Sequence, residues 1–209
     1  MNNSIMIVDD SPYIVDGLFA LLKRKGYQPV PAHGGDECLT LLATTKPDLI
    51  LLDIMMEPMD GWETLEHIKE NPATRNIPVL MFSAKKITAD EAEEHSLSID
   101  DFVSKPVNPA QLLESIEKIF ERRSDVAMEM LLAKDAGLSP EIVQEYSALR
   151  KNIEVDKNLL TVLRVSAGMD VPGKEVAESD RAAIAKLEEK VVLSEARLKA
   201  INDRFTSNL

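Results

Sequence analysis

The sequence has few of the residues on which disulfide-stabilised, cysteine-metal and membrane proteins depend. It contains one cysteine, Cys38, which excludes an internal disulfide framework and a multi-cysteine metal site. No apolar run approaches the roughly 20 residues needed to span a bilayer. The first residues, MNNSIMIVDD, lack a basic stretch and reach two acids almost at once, unlike a signal peptide. We therefore expect a cytoplasmic protein that does not enter a membrane.

Basic residues are also in deficit. The chain has 24 Lys and Arg against 36 Asp and Glu, a formal net charge of −12. Nucleic-acid binding usually depends on a basic surface, so this charge balance argues against DNA as a partner but does not exclude DNA. Apolar residues make up 44% of the 209 residues. That fraction supports a globular core, and the length allows one large or two small domains.

The first half alternates between short apolar runs and amphipathic segments. Its strand-like runs are SIMIV (4–8), YQPVPA (27–32), DLILLD (48–53), IPVLMFSA (77–84) and DDFVSKPV (100–107). A helical pattern follows each of them, and the fifth helix starts at Asn108-Pro109. This alternation predicts an α/β fold, a doubly wound five-stranded parallel sheet. The two prolines of the second run place that strand near an edge.

Polar side chains stand where these predicted strands end. They are Asp9 and Asp10 after the first strand, Asp53 at the end of the third, Ser83 near the end of the fourth and Lys105 after the fifth. In such sheets the functional crevice lies outside the carboxyl ends of the strands. We therefore expect Asp53 at the mouth of its strand rather than buried inside it. Clustered carboxylates favour a hard cation such as Mg²⁺, and Lys105 offers a charge for a phosphate.

Each of these residues has an ordinary structural explanation when it is taken alone. Asp9 and Asp10 precede a helix and fit capping acids, Ser83 fits a capping hydroxyl, and Lys105 fits a loop lysine. Their meeting at the mouths of four strands favours the functional interpretation.

Residues 1 to about 123 resemble the receiver domain of two-component response regulators. The resemblance rests on Asp9-Asp10, Asp53, MDG (59–61), Ser83-Ala84 and Lys105-Pro106. It implies that Asp53 is the phosphoacceptor and that a phosphohistidine on a sensor histidine kinase is the donor. The protein would then be a phosphoacceptor signalling protein rather than an enzyme, although its phosphotransfer and dephosphorylation are self-catalysed.

The resemblance also implies roles for the residues around Asp53. Mg²⁺ would be held by Asp9 (largely through water), Asp10, Asp53 and the backbone carbonyl of Met55. The phosphoryl group would be bound by Lys105, Ser83 and Ala84. The switch residues would be Ser83 and Phe102. The peptide bond before Pro106 would be cis.

The second half carries helical patterns only. Apolar residues follow a 4-3 alternation in two segments: Ile142, Tyr146, Leu149, Ile153, Leu160 and Leu163, then Ile184, Leu187, Val191, Leu198, Ile201 and Phe205. Asp156 and Ser194 are the two breaks in this alternation. It predicts an antiparallel helical hairpin with coiled-coil seams, which gives a helical region over 124–209 after a receiver domain over 1–123. The fifth helix either continues into this region as a linker or breaks at Arg122-Arg123-Ser124.

Three classes of output stay open. In the first, phosphorylation controls a hairpin that binds another protein, such as a component of the transcription machinery. In the second, AKDAGLSPEIV (133–143) belongs to a DNA-binding helix-turn-helix near 133–146, although residues 124–209 hold only 12 basic against 15 acidic residues. In the third, the chain is a phosphorelay or dimerisation protein without direct output. A homodimer formed through the hairpin seams fits the first and third classes.

Overall fold

Five parallel strands form the core of the first half. The structure, a computed structural model, describes residues 3–84, 87–135, 139–169 and 175–207. The strands are β1 (Ser4–Val8), β2 (Gln28–Ala32), β3 (Leu49–Asp53), β4 (Val79–Ser83) and β5 (Asp101–Ser104). They pair in the order β2-β1-β3-β4-β5, and every pairing is parallel. The predicted doubly wound five-stranded sheet is confirmed.

The burial of each strand follows from its place in the sheet. All residues of β3 and β4 are buried, because a parallel strand is covered by helices on both faces. This accounts for the uninterrupted apolar runs LILLD and VLMFS. Strand β2 lies at the edge and is only partly buried. The edge tolerates its two prolines, Pro29 and Pro31, which have no N–H to donate.

The helices begin at local signals that the sequence carries. They are α1 (Pro12–Arg24), α2 (Gly35–Leu42), α3 (Gly61–Glu70), α4 (Ala89–His95), α5 (Pro109–Asp135), α6 (Pro140–Ala167) and α7 (Glu178–Ser207). Proline occupies the first turn of α1 and α6, where its missing N–H leaves no hydrogen bond unmade. At α4, Thr88 and Glu91 form a reciprocal capping box.

Helix α2 ends earlier than the sequence suggests. Its pattern continues to Lys46 before a proline, yet the helix stops at Leu42. The hydroxyl groups of Thr44 and Thr45 both donate to the carbonyl oxygen of Leu41, at 3.3 and 2.7 Å. Side chains that hydrogen-bond to the nearby backbone compete with the helical hydrogen bonds. Here these bonds occur where α2 ends in a turn.

Helix α5 is continuous across the suspected break. It runs from Pro109 to Asp135, so residues 122–124 lie inside a helix. Of the two alternatives for this segment, the continuous helix is therefore correct. Gly137, where the sequence predicts that such a continuous helix ends, lies outside the described residues.

Helices α6 and α7 form the predicted antiparallel hairpin. Glu145 pairs with Arg197 at 2.7 Å, whereas Arg164, later in α6, pairs with Glu188, earlier in α7. The seam residues that are buried are Ile153, Leu160, Leu163, Ile184, Leu187, Val191 and Ile201. Those that are half-buried are Ile142, Tyr146, Leu149 and Leu198. The side chain of Phe205 lies outside the described part of the chain.

Helix α6 buries a wider face than a two-helix seam requires. Val143, Val155 and Leu159 are also buried, although they lie outside the 4-3 pattern. The reason is that α6 has further neighbours besides α7. Glu154 pairs with Arg122 of α5 at 3.4 Å, and Lys151 donates to the carbonyl oxygen of Leu97 just after α4.

The suspected helix-turn-helix segment is divided between two long helices. Residues 133–146 cover the end of α5, the undescribed residues 136–138 and the first turns of α6. Helix α6 then continues to a length of 28 residues. Among the described helices, none is long and apolar enough to cross a membrane.

The chain divides into two compact units. One consists of Met1–Lys85 and Ser98–Glu114, and the other of Lys86–Leu97 and Ser115–Leu209. The first contains the whole sheet. The second contains α6, α7 and, unexpectedly from the sequence, α4.

Candidate functional site

The strand register brings the predicted site residues to one edge of the sheet. Val8 lies opposite Leu52, Asp53 opposite Phe82, and Ser83 opposite Ser104. Because the strands are parallel, the residues that end or follow them meet at the same edge. Asp9, Asp53 and Lys105 are therefore neighbours, although nearly half the chain separates the first from the last.

Lys105 joins two of the carboxylates directly. Its Nζ lies 2.7 Å from Oδ2 of Asp9 and 2.8 Å from Oδ2 of Asp53. The same ammonium group lies 4.7 Å from the centre of the Phe82 ring, within cation–π range. The backbone N–H of Lys105 donates to the carbonyl oxygen of Ser83 at 2.7 Å, which fixes the start of the loop after β5.

Asp53 ends its strand as expected but is more deeply buried than expected. It is the last residue of β3, and only 3% of its surface is exposed. Asp9 is equally buried, whereas Asp10 is exposed. The expected position at the end of the strand is confirmed, but the expectation that the side chain is not buried was wrong. Asp53 tolerates burial because Lys105 compensates its charge.

Burial and charge act on the pKa of Asp53 in opposite directions. Burial raises the pKa, the hydrogen bond and charge of Lys105 lower it, and the charge of Asp9 raises it again. A backbone hydrogen bond from Met55 lowers it further, but the net shift is upward. For Lys105, burial lowers the pKa, and its contacts with Asp53 and Asp9 outweigh that effect and raise it. The ammonium group therefore stays charged at neutral pH.

The acidic residues are arranged to share a cation. Asp9, Asp10 and Asp53 each offer a carboxylate oxygen, and these oxygens all lie within 4.8 Å of one another. Oδ1 of Asp53 is buried and accepts no hydrogen bond from the described residues. A buried acceptor without a partner is costly, so this atom suits a ligand that the protein itself does not supply. Oxygen donors of this kind match Mg²⁺.

The remaining predicted residues lie on β4, on β5 and in the loops after them. Ser83 is buried at the end of β4, and Ala84 is exposed directly after it. Phe102 lies within β5 and is buried. The Lys105–Pro106 peptide bond is cis. Met55 follows β3, and 54% of its side chain is exposed near Asp53.

The loop between β3 and α3 has two features that the sequence pattern did not indicate. The Glu57–Pro58 peptide bond is also cis. Gly61, the last residue of MDG, has no room for a side chain, because an added Cβ would lie 2.0 Å from the carbonyl oxygen of Asp53. Asp60 caps α3 by accepting from the N–H of Glu63 at 2.9 Å. The motif thus positions the backbone immediately behind the phosphoacceptor candidate.

Two families match the chain, one for each half. Residues 5–117, more than half of the chain, match the family described as Response regulator receiver domain. Residues 122–208 match the family described as Metanogen output domain 2.

Curated proteins and solved structures agree with the first match. The chain is 34% identical over 139 residues to the phosphate regulon transcriptional regulatory protein PhoB of Shigella flexneri, which is 66% of this chain and 60% of PhoB. It is 30% identical over 186 residues to the response regulator PleD of Caulobacter vibrioides, or 86% of this chain and 40% of PleD. The chain thus spans at most about three-fifths of these two relatives.

A receiver domain of known structure is similar over the same half. The CheY-like response regulator receiver domain protein from Methanospirillum hungatei JF-1 shares 28% identity and a TM-score of 0.55. The similarity covers 60% of this chain and 99% of that one. Fold, acidic cluster and family match agree, and the chain belongs to the response regulators that carry a receiver domain.

Proposed function

We propose that the protein accepts a phosphoryl group on Asp53 from a phosphohistidine of a sensor histidine kinase, and that phosphorylation controls its helical second half. This proposal rests on the environment of the Asp53 carboxylate. One oxygen contacts Lys105 at 2.8 Å, and the other is buried without a hydrogen-bond partner among the described residues. Lys105 therefore orients the carboxylate, and the other oxygen is left for a group that the described residues do not supply.

In this proposal Mg²⁺ is held by Asp9, Asp10, Asp53 and the backbone carbonyl of Met55, with Asp9 acting largely through water. The close carboxylate cluster and the free Oδ1 of Asp53 support this ligand set. When bound, the ion supplies neutralisation of the negative charge on the phosphoryl oxygens. Lys105 contributes a second positive charge to the same group.

The transfer is a nucleophilic substitution at phosphorus. A carboxylate oxygen of Asp53 forms a bond to phosphorus as the bond from phosphorus to the donor imidazole nitrogen breaks, and that nitrogen takes up a proton. The product is an acyl phosphate, and later attack by water restores the carboxylate and releases phosphate. The protein thus catalyses its own phosphorylation and dephosphorylation.

The residues on β4 and β5 bind and sense the phosphoryl group. Lys105, Ser83 and Ala84 contact its oxygens, and Ser83 moves toward it. Phe102 is the second switch residue. Because Phe102 is already buried, its response is a change of neighbours rather than of exposure.

The test is phosphorylation by a small phosphodonor. Wild-type protein incubated with acetyl phosphate and Mg²⁺ should gain one phosphoryl group, measured by intact mass. Asp53→Asn should gain none, because the amide is a poor nucleophile, and EDTA should prevent the reaction in wild type. Asp60→Asn is the matched control in the same loop. Modification of Asp53→Asn at the wild-type rate contradicts the assignment.

For the second half, we propose a protein-binding output over residues 124–209, after a receiver domain over 1–123. The match to an output family and the long α6–α7 hairpin support it. The partner is a component of the transcription machinery or a second copy of the chain, in the cytoplasm. A pull-down with and without beryllofluoride tests it, and the same partners captured in both states count against it. A gel shift with the full chain that weakens steeply with salt would favour DNA instead.

A further inference from the structure

Helix α4 belongs to the receiver domain by sequence but to the helical unit by its packing. The receiver match covers residues 5–117, yet Lys86–Leu97 form one compact unit with Ser115–Leu209. Ala92 within α4 and Ser96 at its end are buried. A segment that connects β4 to β5 is therefore packed among the output helices.

Three polar side chains join α4 to the hairpin. Nζ of Lys190 in α7 lies 3.1 Å from both carboxylate oxygens of Asp156 in α6 and donates to Oδ1. The same ammonium group donates to the hydroxyl oxygen of Ser96 at 2.9 Å. We call this group of Lys190, Asp156 and Ser96 the Lys190 bridge. Asp156 and Ser96 are completely buried, whereas the Lys190 side chain is 36% exposed.

The position of Asp156 makes the bridge unusual. It occupies a seam position of α6 where the pattern calls for an apolar residue, and Leu159 and Leu160 close by are buried. A buried ion pair contributes less to stability than well-packed apolar residues of similar volume. Polar residues at seam positions do, however, determine register and the choice of neighbour. Here the neighbour that completes the polar group is α4.

Helix α4 depends on such contacts for its position. It has seven residues, and Asp90, Glu91 and Glu94 are among them. Isolated helices shorter than about 12 residues are marginal in water. Besides the bridge, Lys151 of α6 donates to the carbonyl oxygen of Leu97 at 3.4 Å, beyond the carboxyl end of the helix. Two cations of the hairpin thus contact the end of α4, and one of them is held in place by a buried carboxylate.

We propose that the Lys190 bridge restrains α4 and thereby slows phosphorylation of Asp53, and that phosphorylation in turn releases α4 from the hairpin. This inference rests on the proposed function. Residues 84–88 connect Ser83 to α4 along the chain, so movement of Ser83 toward a phosphoryl group pulls on a helix that the bridge anchors. By linkage, whatever restrains α4 opposes phosphorylation, and phosphorylation weakens that restraint by the same factor. Lys190 and Asp156 act as positioning residues.

The test compares variants that remove the bridge without leaving a buried charge. Ser96→Ala deletes only the hydroxyl on α4. The double variant Asp156→Leu with Lys190→Met replaces the ion pair by apolar side chains, which avoids an unpaired carboxylate. The matched control is Arg197→Met, which breaks the Arg197–Glu145 pair between the same two helices without touching α4. Circular dichroism establishes that each full-length variant is folded.

Two measurements are made on each protein. The first is amide hydrogen exchange in residues 87–97 without phosphodonor, and the second is the initial rate of phosphorylation by acetyl phosphate. Ser96→Ala and the double variant should exchange faster in this segment and be phosphorylated roughly 5-fold faster or more, while Arg197→Met matches wild type.

If amide exchange in residues 87–97 is unchanged in both bridge variants, the bridge does not restrain α4. If exchange is faster but the phosphorylation rate is unchanged, the restraint does not affect phosphorylation. If wild type is not phosphorylated at all, the proposed function fails, and faster exchange in the bridge variants still supports the anchoring of α4.

Discussion

Gly61 lies against the backbone of Asp53 so closely that a methyl group on its Cα would come within 2.0 Å of the Asp53 carbonyl oxygen. The N–H of Gly61 also donates to the carbonyl oxygen of Ile54 at 2.9 Å, so the contact is part of a hydrogen-bonded turn. The loop that carries Met55 therefore closes on Asp53 only because residue 61 has no side chain.

Gly61→Ala should destabilise the protein. The added carbon meets backbone rather than a flexible side chain, so the loop must shift, at a cost of about 2–3 kcal/mol by analogy with overpacked cores. Gly17→Ala is the matched control, because nothing lies within 4 Å of its added Cβ and alanine favours the interior of α1. Urea unfolding should show a loss for the first variant and no loss for the second. Equal stabilities would contradict the close approach.

Asp53→Asn should be more stable than wild type without metal at neutral pH. The substitution removes a buried carboxylate, and Lys105 keeps Asp9 as its partner. We expect a measurable gain, because the amide has no charge to desolvate, although it still leaves a buried polar atom at the same place.

The gain should depend on pH because burial raises the folded-state pKa of Asp53. A raised carboxyl pKa means that the folded protein binds this proton more tightly than the unfolded chain does. The stabilisation that comes from this proton is complete below the pKa of Asp53 in the unfolded chain, about 4. It is lost as the pH rises through the pKa of Asp53 in the folded protein. Thermal melts in EDTA should show little difference between the proteins near pH 4 and a larger one at pH 7. Asp10→Asn, at an exposed position, is the control.

Lys105→Met should destabilise the protein without metal and make it depend on Mg²⁺. The change leaves Asp9 and Asp53 buried without their shared cation, which costs about 3 kcal/mol or more. A bound dication replaces the lost charge, so added Mg²⁺ should raise the melting temperature of Lys105→Met more than that of wild type. Lys23→Met on the exposed face of α1 should behave like wild type. A smaller Mg²⁺ response in Lys105→Met would count against a shared site.

Met55→Asn should shorten the lifetime of the Asp53 phosphate. The Met55 side chain is half exposed beside the site, and its apolar surface cannot orient an attacking water by hydrogen bonding. An amide at this position can, so we expect dephosphorylation to be several-fold faster. The measurement is the decay of radiolabelled phosphoprotein after donor removal, with Met55→Leu as the apolar control. A half-life as long as that of wild type would reject this role.

Cys38 should be unreactive in the folded protein. It is fully buried, and burial raises the pKa of its thiol to about 12. Near pH 8, a pKa raised from 9.0 to about 12 lowers the thiolate fraction about 1000-fold. Labelling by iodoacetamide should therefore be very slow in buffer and fast in urea, and it reports unfolding at the only cysteine. Rapid labelling under native conditions would show that the β1–α2 core opens.

Local sequence determined the strands and helices of the first half. It also determined which polar residues stand at the carboxyl ends of the strands. The runs SIMIV, LILLD and VLMFS are strands because such runs fit a sheet covered on both faces. Asp9, Asp53, Ser83 and Lys105 end or follow strands, and parallel strands bring those ends together. Alternation therefore sufficed to predict that these residues lie at one edge of the sheet.

Tertiary structure decided how deeply the site is buried. The pattern gave no reason to bury Asp53, because its burial depends on Lys105, which reaches it from another strand at 2.8 Å. Likewise, the width of the buried face of α6 depends on α4 and α5, which a two-helix pattern does not include.

The place of α4 shows the same division most clearly. The sequence by itself determined that a helix follows the fourth strand and that Asp156 interrupts an apolar seam. Only the tertiary structure showed that these two features meet, through a Lys190 side chain 94 positions from Ser96. The physical reason is that strand and helix formation follow from local periodicity and capping, whereas the partner of a buried charge is set by which distant side chains the packed chain brings within hydrogen-bonding distance.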